Sequence, residues 1–104
     1  MSIVIQDYQF EGPFASTHLL EDRAGVYVIL TATGGGWYNV LDVGESENVR
    51  SRVQNHDRQA CWMRNARAGG ILYAALYMAG STPDQRRVVE RTIRDTCKPP
   101  CGEY

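Results

Sequence analysis

Residues 25–44, GVYVILTATGGGWYNVLDVG, carry the pattern on which the rest of the fold is built. Gly25 to Thr31 and Trp37 to Val43 are β-rich apolar runs, and Gly34-Gly35-Gly36 between them supplies the positive φ angles of a hairpin turn. The triplet does not cradle a phosphate, since no GxGxxG spacing follows and the next element is a strand. Downstream, Ser46 is placed to cap a helix running to about His56, and Asp57 to Arg67 reads as a second helix broken by Gly69-Gly70. Ile71 to Met78 is a third strand. Thr82-Pro83-Asp84-Gln85 combines an N-cap, a proline at the first helical position and a capping-box glutamine, opening a helix that ends before Lys98-Pro99-Pro100. Upstream, Ile3 to Ile5 reads as a short strand and Ala15 to Asp22 as a short helix. The order implies an α/β chain of the α+β type, a small three-stranded, mainly antiparallel sheet flanked by helices. It reads as one domain over residues 1–104, with 1–21 an N-terminal extension to the core.

A chain of 104 residues can bury one core unaided, and 43% hydrophobic with 22% charged residues excludes a disordered chain. No apolar run reaches the roughly 18–20 residues of a membrane span, and the first residues lack a signal peptide's basic and apolar regions. A cytoplasmic protein is expected, and nothing in the pattern indicates a homo-oligomer. Cys61, Cys97 and Cys101 leave at least one thiol unpaired, which fits a reducing compartment. Buried inert thiols outweigh a metal site built from Cys97, Cys101 and His18 or His56, because the spacing is not that of paired CxxC motifs. The net charge of −1 conceals an asymmetry. Asp7, Glu11, Glu21 and Asp22 precede Arg23 without a single Lys or Arg, so all 11 basic residues lie beyond them, Lys98 being the one lysine. Arginine suits bidentate phosphate contact, although arginine-favouring codon usage accounts for the bias equally well.

Two stripes carry polar residues among apolar ones. Arg86, Val89, Glu90, Ile93 and Cys97 share one face of the last helix, which puts Glu90 inside the buried stripe. A carboxylate there costs several kcal/mol unless a cation or strong donors meet it, either an arginine in a structural ion pair or a divalent metal. Val49, Arg52, Val53 and His56 form the matching face of the first helix, just after a strand ending in Gly44.

The ordered set Gly25-Val26-Tyr27, Gly44, Arg52, His56, Glu90 and Lys98-Pro99-Pro100 resembles the GIY-YIG nuclease domain over roughly Ala24 to Gly102. The resemblance implies hydrolysis of DNA phosphodiesters with one divalent ion, Mg²⁺ or Mn²⁺, held by Glu90. Tyr27 would help deprotonate the attacking water with His56 as relay, and Arg52 would neutralise charge in the transition state. Arg50, Arg58, Arg64 and Arg67 would extend the nucleic-acid surface. This chain departs from the family at two positions, with Asp42 in place of the second motif's tyrosine and Gly102 in place of an asparagine. In the family's register Asp42 would face the cleft as a further member of the site, ligating the cation or pairing with Arg52. Two other classes compete with the nuclease, namely a degenerate module that binds nucleic acid or protein without cleavage and an interaction domain with merely solvated arginines.

Overall fold

The computed structural model describes residues 1–102. Five strands form one antiparallel sheet: β1 Ser2–Ile5, β2 Tyr8–Phe14, β3 Gly25–Gly34, β4 Trp37–Ser46 and β5 Ile71–Tyr77. Their spatial order is β1-β2-β5-β3-β4. The three-stranded sheet expected from the sequence is therefore the inner part of a wider one. Residues 2–14, read as an extension, supply β1 and β2, and β2 pairs with β5. Between β2 and β3 the expected helix shrinks to a single 3-10 turn, Thr17–Leu19.

The three α-helices are α1 Val49–Gln54, α2 Gln59–Asn65 and α3 Pro83–Cys97. Both α1 and α2 are shorter than expected. Ser46 belongs to β4 and Asn48 is the N-cap, while α1 stops before His56, which lies in the α1–α2 connector. The capping box of α3 forms as read, with the Thr82 hydroxyl accepting from the Gln85 amide and the Gln85 side chain accepting from the Thr82 amide. Lys98 then closes α3 in the left-handed conformation.

Central β3 is buried on both faces from Gly25 to Thr31, which is why it reads as a continuous apolar run. On one face Val26, Val28, Leu30, Val43 and Ala74 pack against Val89 and Ile93 of α3. On the other, Tyr27, Ile29, Leu41 and Ala75 pack against Val49 and Val53 of α1 and Trp62 of α2. At the edge strand β4, Ile29 pairs with Asp42 but Leu30 with Val40, so Leu41 is a bulged residue. Tyr27 stands opposite Gly44 and Ile29 opposite Asp42, so Tyr27 and Asp42 point to the same side of the sheet.

The cysteines depart from the expected inert thiols. Cys61 of α2 and Cys101 form a disulfide across 40 residues, and Cys97 alone is free. Cysteine usage therefore no longer argues for a reducing compartment. No helix is long and apolar enough to cross a membrane among the described residues.

Candidate active site

Tyr27 sits at the centre of the candidate site. Its ring lies across Gly44, where any Cβ would overlap the phenolic oxygen and Cζ, far inside van der Waals contact. Glycine is required there by the close approach of the ring, not by a special backbone angle. The Tyr27 hydroxyl lies 2.7 Å from His56 Nε2. His56 Nδ1 accepts from the Arg58 amide at 3.0 Å, so the neutral ring carries its proton on Nε2 and donates to Tyr27 Oη. The phenol keeps its own proton for another acceptor. Trp62 stacks at a tilt on the imidazole, ring centroids 4.7 Å apart.

Burial controls both titrations. Desolvation pushes the Tyr27 phenol up to about 12, against the opposing pull of the Arg52 charge. It pushes His56 down to about 4, with Arg52 and Arg58 acting in the same direction. Near neutral pH the pair is therefore an uncharged phenol and an uncharged imidazole.

Around this pair the fold gathers charges from separate elements. The fields of Arg52, Asp42, Arg58 and Glu90 all reach the Tyr27 phenol. Arg52, from α1, is partly exposed and bonds Asp57 at 3.2 Å. Such a contact with a solvated carboxylate is weak and easily exchanged for a phosphate. Glu90, from α3, lies 3.9 Å from Arg94 Nη2, beyond hydrogen-bond distance. Burial raises its carboxyl above the usual carboxylate range, with the Arg94 guanidinium partly offsetting this. Its neighbour along the helix, Arg86, is spoken for by Glu45 at 2.8 Å.

Asp42 takes a different part from the one expected. It is fully buried and saturated with donors: Arg58 Nε and Trp62 Nε1, each at 2.8 Å on Oδ2, and the Val43 amide and Arg94 Nη2, each at 2.9 Å on Oδ1. Arg52 is not among its partners. Arg94 reaches Asp42 from α3 and also donates to the backbone carbonyls of Val43 and Cys101. Gly102 belongs to the same arrangement, because a Cβ there would strike the Arg94 guanidinium and its φ of +109° already disfavours other residues. The two positions at which the sequence departs from the expected motifs, Asp42 and Gly102, thus converge on one buried ion cluster.

The remaining arginines divide. Arg58 is tied to Asp42, and its place is at the wall of the site. Arg50 lies on α1 beside Ser51, whose amide and hydroxyl both donate to Asp22 at 2.8 Å. Arg64 and Arg67 line a separate groove at the other end of β4. Sequence reading missed Arg94 and Trp62. The indole of Trp62 carried a signal, since a buried Trp N–H requires an acceptor. Among the described residues no three His, Cys, Asp or Glu side chains come together as a metal-holding group. Comparison with protein-family models, curated proteins and solved structures gave no match.

Proposed function

We propose that this domain hydrolyses phosphodiester bonds of DNA, using Tyr27, His56 and Arg52 together with one divalent ion at Glu90. The observation that carries the reading is the buried 2.7 Å pair of Tyr27 and His56, at whose phenol the charges of Arg52 from α1 and Glu90 from α3 are felt.

The residues suit a single ion. Glu90 is a half-buried carboxylate without a short ion pair, and Mg²⁺ commonly binds one or two carboxylates and keeps several waters. The ion, Mg²⁺ or Mn²⁺, would supply Lewis-acid charge on the phosphate. The chain's own residues do the rest. Tyr27 gives up its phenolic proton to solvent, and the His56 Nε2–H bond holds the resulting phenolate in place. The phenolate takes a proton from water as that water attacks phosphorus, the P–O bond to the leaving sugar oxygen breaks, and that oxygen takes a proton from solvent to leave as a hydroxyl. Arg52 exchanges Asp57 for a phosphate oxygen and meets the added charge of the transition state. His56 is a positioning residue, since its Nδ1 is occupied and its Nε2 proton points at the phenol.

A non-cleaving nucleic-acid module is the second reading, favoured by a phenol only 2% exposed and largely protonated at neutral pH. A labelled duplex incubated with Mn²⁺ separates the two. Cleavage by the parent that falls at least a hundredfold in Tyr27→Phe supports the enzyme. Salt-sensitive binding with no cleavage at any pH up to 10 selects the module.

A further inference from the structure

At the end of β4 remote from Gly44 lies a groove of about 470 Å³ among β4, the C-terminal end of α2 and the end of α3. Arg64, Arg67 and Lys98 line it, with Asn39 and Asn65, and among the described residues no carboxylate is present in its wall. Among the described residues none of these three cations has a side-chain hydrogen bond or ion pair. Arg67 and Asn39 also line an adjoining hollow beside Thr33, Gly34 and Gly69. Trp37 and Asn39 are two apart on β4 and so share a strand face. Trp37 is 76% exposed and Tyr38 40%, side by side at the tip of the β3–β4 hairpin. Trp37 is not needed by the core, which places Trp62 in the interior instead.

A cationic trough with an exposed indole two residues further along the same strand face is the combination that binds unpaired nucleic acid, the cations tracking phosphates and the aromatic face stacking a base. We propose that this groove and the hairpin tip form a binding site for a single-stranded nucleic-acid segment, with phosphates on Arg64, Arg67 and Lys98 and a base on Trp37. The inference rests on the nucleic-acid reading of the Tyr27 site for its class of ligand, but not for its geometry. Asn39 lies five residues from Gly44, about 17 Å along the strand, so the groove is separate from the hydrolytic centre. It would hold a strand running on from the bond being cut, which favours substrates with an unpaired arm.

The test is fluorescence anisotropy of a labelled oligothymidine on the full chain, with salt titrations. The triple variant Arg64→Gln/Arg67→Gln/Lys98→Gln should lower the salt slope by about 2, at roughly 0.7 per phosphate contact on a single strand. Trp37→Ala should weaken binding about five- to 150-fold, the range of one lost stacking contact, with the salt slope unchanged. All four side chains are exposed, so the fold survives these changes. Unchanged affinity and slope in both variants would overturn the site, and so would failure of the parent to bind the oligonucleotide. Cleavage is read separately. A parent that cleaves duplex DNA while the variants bind as it does leaves the hydrolytic reading standing without the groove. Oligothymidine binding that the variants lose, in a parent that never cleaves, leaves the groove standing without the hydrolysis.

Discussion

Substituting alanine for Gly44 tests whether the Tyr27 ring is held as described, because one methyl group would occupy the place of the phenol. A Cβ on Gly44 meets Tyr27 Oη and Cζ, and the atom at Cε2 is also within 3.0 Å. The ring has little room to yield, being enclosed by Ile29, Ala75 and the α1 valines. Overpacking of this kind costs about 1–3 kcal/mol. Displacing the phenol also breaks the bond to His56, for about 0.5–1.5 kcal/mol more. The expected loss is about 2–4 kcal/mol, or a Tm lowered by roughly 10–20 °C for a domain of this size. Urea denaturation of Gly44→Ala, Tyr27→Phe and the double variant reads the coupling. The double variant should lose less than the sum of the singles, since Oη is one of the atoms that clash. A Gly44→Ala protein within about 0.5 kcal/mol of the parent, or singles that simply add, would refute the placement of Tyr27 over Gly44.

Three further outcomes follow from the same site. Asp42→Asn should destabilise the protein by about 2–4 kcal/mol in urea titration, because Arg58 and Arg94 lose their shared carboxylate, and Asp42→Tyr should fail to fold instead of restoring activity; a well-folded tyrosine variant would contradict the ion cluster. His56 has a folded pKa depressed from 6.5 to about 4, so its contribution is complete above pH 6.5 and is lost as pH falls toward 4. Up to about 3 kcal/mol is involved, and stability measured across that window should flatten in His56→Gln. If the Tyr27 phenolate is the base, its raised pKa makes the cleavage rate climb about tenfold per pH unit from 7 toward 10, whereas a plateau above pH 7 would assign the base to another group.

What the sequence made legible were features written locally. The β3–β4 hairpin and the α3 capping box each depend on residues a few positions apart, and both form as read. β1 was legible as the short strand Ile3 to Ile5, whereas β2 was hidden by its own breakers. The turn between them uses positive φ at Gln6 and Asp7, residues that do not announce it, and Gly12-Pro13 interrupts β2 where its register with β5 shifts. The periodicity that put His56 on a helix face continued past the end of α1, because a four-residue spacing cannot report where the helix stops. Asp42 was legible as a residue pointing to the Tyr27 side, but its partners were not. Arg58, Trp62 and Arg94 lie 16, 20 and 52 residues away, and no local pattern links them. The Cys61–Cys101 disulfide is hidden for the same reason.

Joint action of Glu90 and the Tyr27 pair on a phosphodiester bond is decided by nicking of supercoiled DNA at pH 9 with Mn²⁺, parent beside Glu90→Gln. Glutamine keeps the shape of the side chain and removes the charge that would hold the ion. Its 3.9 Å contact to Arg94 is too long for its loss to disturb the fold. The parent should nick, chelation should stop it, and Glu90→Gln should be folded, inactive and unable to bind Mn²⁺ in calorimetry. Nicking by Glu90→Gln at the parental rate would contradict it, as would a parent that binds DNA and Mn²⁺ yet leaves the plasmid supercoiled.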